Sequence, residues 1–403
     1  MGKIMAVNAG SSSLKFQLLE MPSEVLIASG LVERLGTVDG CYTIKYNGRK
    51  LQGQLQPADS KDPKAYNHTL AVKTVLDILV GEGIVKSLDE ITGVGHRIVQ
   101  GGAYFNDSAV LTQDVLDKII ELAPLAPLHN PAHVEGINAV RAALPNVPDV
   151  AVFDTAFHQT MDELSYMYAL PYEWYTEHKV RKYGAHGTSH KYVAEECARV
   201  MGKPIEEVNI ITCHIGNGAS ITAVKGGKCV DTSMGLTPLD GIPMGTRCGS
   251  LDPTVLQYMN KQLGYSIDEL VSICNKKSGY LGISGVSNDS RNLEEQMETN
   301  PRCKLALELQ YKRIADYIGS YYVLMGGADA IVFTAGIGEN SSNMRRQVLE
   351  RCACLGVEVD PINEKVRGEV CEISTKDSKL KAFIIPTAEE LMIARDVVRL
   401  TQK

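Results

Sequence analysis

The stretch Ile4-Met5-Ala6-Val7-Asn8-Ala9-Gly10-Ser11-Ser12-Ser13-Leu14-Lys15-Phe16 reads as a buried strand, a turn of small hydroxyl-bearing residues and a second strand. The apolar runs supply the strands. Gly10 with three serines supplies a turn whose bare backbone and hydroxyls can approach a phosphate closely. Serine and glycine also dominate ordinary turns, so the stretch alone does not separate an anion site from a plain hairpin. An echo far along the chain adds weight: Asn209-Ile210-Ile211-Thr212-Cys213-His214-Ile215-Gly216-Asn217-Gly218-Ala219-Ser220-Ile221-Thr222-Ala223-Val224 repeats strand, Gly/Asn/Ser turn, strand. The chain therefore reads as two related halves.

A third glycine-rich turn follows another apolar run, where Ala330-Ile331-Val332-Phe333-Thr334-Ala335 leads into Gly336-Ile337-Gly338-Glu339-Asn340. Tight turns at strand ends, two of them in duplicated hairpins, resemble the actin-like superfamily of sugar kinases and chaperones, which clamps ATP between two domains. Four motifs in order narrow the resemblance: Ile4 to Lys15, His186-Gly187-Thr188-Ser189-His190, Gly336 to Asn340, and Pro386-Thr387-Ala388-Glu389-Glu390-Leu391. From residue 4 to residue 396 the chain is thus similar to the acetokinase family. The resemblance implies an α/β fold of two duplicated actin-like (ribonuclease H-like) domains with an ATP cleft between them. It also implies reversible transfer of the ATP γ-phosphoryl group to acetate, giving acetyl phosphate and ADP by direct in-line transfer.

The chain has 403 residues, long for one core and natural for two domains. Apolar residues at 44% and charged residues at 22% are those of an ordinary globular protein. A net charge of -7 without a basic run argues against nucleic acid as a partner, so local arginines must meet an anionic substrate. No apolar stretch approaches the roughly 18 residues of a transmembrane helix. A strand starting at Ile4 leaves no room for a signal peptide, so no membrane association and a cytoplasmic location are expected. Ten scattered cysteines with no Cys-x-x-Cys pair suggest reduced thiols, several in apolar runs like Cys213, and neither a zinc site nor a disulfide framework.

The first half alternates strands with helices. β-like segments run to residue 56 with turns at Asp39-Gly40 and Asn47-Gly48. A helix is expected over 70–80, then a strand over 91–99 carrying His96 and Arg97. Apolar residues at 115, 116, 119, 120 and 122 predict a helix capped by Thr112. A second helix starts at Pro131 and stops before Pro145. Asp149 to Phe153 is a buried strand delivering Asp154 at its carboxyl end, where ligands of α/β sheets collect. The expected division is 1–150 as an acyl- and phosphate-binding domain and 151–385 as a nucleotide-binding domain. The resemblance implies that a last helix within 386–403 returns to the first domain. A helix with Ile314, Ile318, Tyr322 and Met325 inward precedes the strand at 330. The polar segment 261–299 is expected at the rim.

Moving a phosphoryl group onto a carboxylate brings an anion to a polyanion, so it needs fixed positive charge and a metal where they meet. Arg97, at the end of a strand, and Arg247, in Gly245-Thr246-Arg247-Cys248-Gly249-Ser250, are suited by context, although either alone reads equally as a salt-bridge residue. The resemblance assigns Arg97 to the acyl carboxylate through its planar fork and Arg247 to the phosphoryl oxygens. His186 sits at a turn into a helix expected to be capped by Thr188 or Ser189, and can donate to a phosphoryl oxygen. His133, His158 and His190 read as structural. His129 either steadies Arg97 or the acyl group, or caps the following helix. The resemblance assigns a Mg²⁺ or Mn²⁺ ion to Asn8 and Glu389. A carboxylate substrate is already ionised at neutral pH, so Asp154 is expected to orient the metal or its waters and not to act as a base. Lys15 and the first turn are expected at the phosphates of ATP or ADP. His214, Ile215, Gly216, Asn217 and Gly218 form the second phosphate hairpin. Gly336, Ile337, Gly338, Glu339 and Asn340 lie beside the adenosine, and Asp289-Ser290-Arg291 near the nucleotide.

In one respect the chain departs from the pattern: the residue before the catalytic histidine, often Phe in the family and part of the acyl pocket wall, is Ala185. Val99, Leu128 and Pro238 match the other wall residues. A smaller wall admits propionate, so a propionate or butyrate kinase is the nearest alternative. A hydroxyl-directed sugar kinase and an actin-like ATPase are the alternatives of other classes, and the paired arginines with His186 speak against both. The family forms homodimers, and a homodimer is expected.

Overall fold

The computed structural model describes residues 2–127 and 129–401. The chain divides into two compact units, Met1–Ala156 with Ala388–Lys403, and Phe157–Thr387.

In the first unit the strands are β1 (Gly2–Gly10), β2 (Ser13–Met21), β3 (Val25–Glu33), β4 (Cys41–Tyr46), β5 (Arg49–Gln54), β6 (Ile91–Ile98), β7 (Ala109–Val110) and β8 (Asp149–Phe153). They form one sheet in the order β5-β4-β3-β2-β1-β6-β8-β7. β1 to β5 are successive antiparallel neighbours, and β6 and β8 add in parallel. Asn47 and Gly48, both at positive φ, make the two-residue β4–β5 turn. The alternation of β1 explains the layers: Met5 and Val7 pack with Ala71, Val75 and Ala139 of helices His68–Gly81 and Asn130–Ala143. Ile4 and Ala6 pack on the opposite face with Ile393 and Val397 of helix Glu389–Thr401. Close approach of that helix depends on β6 glycines. A Cβ on Gly95 would lie 2.2 Å from Ile393 Cγ2, and one on Gly93 2.6 Å from Val397 Cγ1. Each such buried aliphatic side chain contributes roughly 1.5–3 kcal/mol.

The second unit contains β9 (Asn209–Ile215), β10 (Ala219–Lys225), β11 (Lys228–Thr232), β12 (Ala330–Thr334), β13 (Cys371–Glu372) and β14 (Lys381–Ile384), in the order β11-β10-β9-β12-β14-β13. The run β11-β10-β9-β12-β14 has the same pairing senses as β3-β2-β1-β6-β8: three antiparallel strands, then two parallel. The duplication read from the two hairpins is therefore a duplication of topology. Helix Pro301–Met325 covers one face through Ile314, Ile318 and Met325, and helix Gly187–Val200 covers the other through Val193, Ala194 and Cys197.

Several expectations need correction. β8 pairs along its whole length with β6, so the strand cannot be cut at residue 150 and the first unit runs on to Ala156. Tyr321, at 1% exposure, is buried more deeply than Tyr322, which is partly buried against the same core. The segment 261–299 is largely helical, with Tyr280 and Leu293 in the core. Gly336–Asn340 is not a turn but most of a short helix, Ala335–Asn340.

Candidate active site

In the first unit, three strand ends carry the candidate residues. Val7 pairs in parallel with His96, so Asn8 and Arg97 follow side by side, and Asp154 follows β8 next to them, its N–H donating to the Ile98 carbonyl at 2.8 Å. Arg97 grips Asp154 through two bonds, Nε to Oδ1 at 3.0 Å and Nη2 to Oδ2 at 2.6 Å. Glu389 Oε2 stands 3.8 Å from Arg97 Nε. Burial works against the Arg97 charge, and the Asp154 and Glu389 carboxylates more than restore it, raising the guanidinium pKa above its ordinary value. Burial, with Glu389 beside it, raises the Glu390 carboxyl, while Arg97 and Lys15 pull the other way.

Asn8 pairs with Lys15 across the first hairpin, placing an oxygen donor and a cation beside the Ser11-Ser12 turn. Two histidines pin its backbone: His68 Nε2 contacts the Gly10 carbonyl and His133 Nδ1 the Ala9 carbonyl, each at 2.8 Å. Burial, helped by the Arg97 charge, pushes His133 down to about 3, so it stays neutral and donates. His129 is the N-cap residue of helix Asn130–Ala143 but makes no side-chain capping bond, and its ring lies 6.4 Å from that of His133. Val99 is buried; Leu128 lies outside the described residues.

In the second unit, His186 is itself the N-cap residue of helix Gly187–Val200, at φ 59° and ψ 23°, so Thr188 and Ser189 lie inside the helix and do not cap it. The left-handed backbone leaves the His186 ring stacked on His214, centroids 4.1 Å apart and planes at 15°. His186 Nδ1 meets Ser220 Oγ at 2.8 Å, and Ser189 Oγ meets His214 Nδ1 at 2.8 Å. A Cβ built on Gly218 would stand 3.5 Å from Arg247 Nη1 and 3.6 Å from His186 Nε2, so the bare glycine keeps open a small cradle lined by both. Arg247 donates to the Pro238 carbonyl at 3.1 Å. Among the described residues no acidic side chain pairs with it. Burial alone lowers its pKa, as for a cation lacking a counter-ion. Ala185 is 2% exposed and belongs to the core of this unit.

The nucleotide motifs converge on a cavity of about 560 Å³ in the same unit, lined by Gly216, Asn217, Asp289, Ser290, Arg291, Gly336, Ile337 and Asn340. Three segments distant in sequence thus form one wall. Gly338 and Glu339 do not line it but hold it: Glu339 Oε1 accepts from the N–H groups of Ala335 at 2.8 Å and Thr387 at 3.2 Å, and the Gly338 carbonyl accepts from Arg345 at 2.8 Å. His214, Ile215 and Gly218 flank the cavity along the hairpin. Asn288, Glu294 and Ser341 also line it and escaped the sequence reading. Glu294 accepts from Ser341 Oγ at 2.5 Å, a bond between residues with no local pattern to betray them.

Among the described residues no cluster of three His, Cys, Asp or Glu is arranged to hold a metal ion. Mg²⁺ keeps several waters and shares phosphate oxygens, so it needs only one or two protein oxygens. Asn8 and Glu389 are donors of that kind. Burial is the main cause of the raised Glu390 carboxyl, and the neighbouring Glu389 adds a repulsion that a cation would relieve.

The sequence profile of the acetokinase family matches residues 3–395. An acetate kinase from Geobacillus sp. (strain WCH70) is 55% identical over 401 residues, covering 99% of each chain. The crystal structure of Porphyromonas gingivalis acetate kinase superposes with a TM-score of 0.94 at 43% identity, covering 100% of both chains. A propionate kinase structure from Francisella tularensis subsp. tularensis SCHU S4 follows at TM-score 0.92 and 42% identity, covering 99% of this chain and 100% of that one.

Proposed function

This chain belongs to the acetokinase family, and from that premise we propose how its residues divide the work. The activity is that of a phosphotransferase with a carboxyl acceptor, the ATP-dependent phosphorylation of acetate. The observation that carries the division is Arg247, a cation without an acidic partner among the described residues, beside His186 and a bare glycine. In-line transfer builds charge on three equatorial phosphoryl oxygens, and preorganised donors lower that barrier most. Arg247 and the His186 imidazole supply them. Arg97 receives the acyl carboxylate, with Asp154 fixing the plane of its fork. Val99 and Pro238 wall the acyl group, and His129 steadies it.

Lys15 and the two hairpin turns take the nucleotide phosphates, and the cavity lined by Asp289-Ser290-Arg291 and Gly336 takes the rest of ATP or ADP. Asn8 and Glu389 would hold Mg²⁺ or Mn²⁺, which when bound supplies charge neutralisation at the phosphates. For the assembly we propose a homodimer, as the resemblance to the family implies. Ten free thiols suit the reducing cytoplasm.

The test is formation of a hydroxylamine-trappable acyl phosphate from Mg-ATP and acetate. Turnover with glycerol and none with acetate would overturn the reading. The same assay with propionate and butyrate tests the small wall at Ala185, which predicts that propionate also reacts.

A further inference from the structure

A chain of three short contacts and one long one runs through the second unit behind the His186 ring. Thr212 Oγ1 meets His190 Nδ1 at 2.7 Å, His190 Nε2 meets Ser220 Oγ at 2.7 Å, and Ser220 Oγ meets His186 Nδ1 at 2.8 Å. Thr212, His190 and Ser220 are each 0% exposed. The fourth contact, Thr212 Oγ1 to the Thr222 carbonyl, is long at 3.4 Å.

Each hydroxyl has one proton to give, and a neutral imidazole has one donor and one acceptor nitrogen. Burial holds His190 well below its ordinary pKa, so it remains neutral. With the His186 ring neutral and the Ser220 proton donated to one of the two rings, the chain has two states. Either every bond is donated towards His186, or every bond is donated away from it. In the second state the Thr212 proton must rest on the 3.4 Å contact, and His186 Nε2 carries a lone pair. In the first, Thr212 donates over 2.7 Å, and the proton of His186 sits on Nε2, the atom beside the Gly218 cradle. An anion at that cradle is attracted by an N–H and repelled by a lone pair.

We propose that Thr212, His190 and Ser220 are positioning residues that fix the tautomer of His186, so that a neutral ring presents its Nε2–H to the phosphoryl group. The proposal rests on the reading of His186 as a phosphoryl donor. Neither His190 nor Ser220 touches substrate; both act through the ring. The stacked His214 has a parallel arrangement, in which Thr387 donates to Ser189 at 2.8 Å and Ser189 meets His214 Nδ1.

The experiment is long-range ¹H–¹⁵N spectroscopy of the ring nitrogens in the full-length protein at neutral pH without ligand, joined to kinetics. The expected spectrum has His186 and His190 both protonated on Nε2, with Nδ1 accepting. A proton on Nδ1 of either ring overturns the proposal. Thr212→Val keeps the shape and removes the hydroxyl. It should shift the His186 nitrogen resonances and lower kcat between about 3- and 100-fold, less than loss of the donor itself, with KM for ATP and acetate within about twofold. Thr212→Ser, which restores the hydroxyl, should recover kcat. Equal losses in both variants, or unmoved spectra and kcat in Thr212→Val, would also overturn it. The readings separate cleanly: full turnover in His186→Ala refutes the role given to His186 and leaves the tautomer spectrum standing.

Discussion

Arg97 and Asp154 form a bidentate pair in which the carboxylate side chain is 1% exposed and the guanidinium 20%. That geometry changes what Asp154 is expected to do. Both its oxygens accept from Arg97, so the role proposed for it is to aim the fork at the acceptor, with only an indirect effect on a metal. Asp154→Asn keeps the shape but turns one acceptor into an N–H facing a guanidinium. The expected outcome is a rise of about tenfold in the acetate requirement, the equivalent of one charge-assisted bond, with the Mg²⁺ titration midpoint unmoved. Initial rates over an acetate-by-Mg²⁺ grid decide it, since a shifted Mg²⁺ midpoint at constant acetate requirement would return Asp154 to the metal. Truncating the partner confounds the question: Arg97→Ala strands a buried carboxylate at a cost of roughly 3–5 kcal/mol. Arg97→Lys keeps the charge and loses the planar fork, so it should bind acetate more weakly while remaining folded.

At the scale of elements, the β9–β10 hairpin makes a separable prediction. The added methyl of Gly218→Ala meets Arg247 and His186 at ordinary contact distances of 3.5 and 3.6 Å, so the protein should fold with its melting temperature nearly unchanged. Because the methyl occupies the cradle, turnover should fall on the order of 10²-fold. A fully active alanine variant would show that no phosphoryl oxygen uses that space. Helix Ala335–Asn340 makes another. Fully buried Arg345 donates to the carbonyls of Gly338, Asn363 and Val366 and to Asn363 Oδ1, so Arg345→Met leaves several acceptors unpaired. A loss on the order of 3 kcal/mol in urea unfolding and a raised ATP requirement are expected. The same contacts explain what could be read from the chain. Hairpins with Gly and Ser between apolar runs, the Thr112-capped helix, and charged residues at strand ends are local patterns, and they were legible. Helix Ala335–Asn340 was not, because two glycines argue for a turn and only Glu339 and Arg345, bonded to distant parts, overrule them. Capping at His186 was misread for a related reason: Thr188 and Ser189 are good cap residues, yet Ser189 is bonded to His214 and Thr387. The pairing of Arg97 with Asp154 joins residues 57 positions apart, which no local pattern encodes.

For the whole molecule, the buried histidines set a limit that neither unit escapes. The first unit holds His96, pushed down to about 4 mainly by burial, and His133, pushed to about 3. The second holds His158, pushed by burial to about 4, and His190, held by burial well below its ordinary value. Well above pH 6.5 all are neutral whether folded or unfolded, and they contribute little to pH dependence. As pH falls below 6.5 the unfolded chain takes up protons that the folded one refuses, so stability drops until the folded pKa values are reached. The slope is about 1.4 kcal/mol per pH unit for each histidine, and two in each unit should cost roughly 2–3 kcal/mol per unit by pH 5.5. Glu390 works in the opposite direction, since an acid raised by burial favours the folded state as it protonates, but it is one group in one unit. The denaturant midpoint should therefore fall steadily from pH 7 to pH 5.5. His158→Gln should flatten that fall in the second unit, because a glutamine amide never takes up the proton. A midpoint constant over the interval, or a slope unchanged in the glutamine variant, would mean that these histidines titrate alike in the folded and unfolded chain.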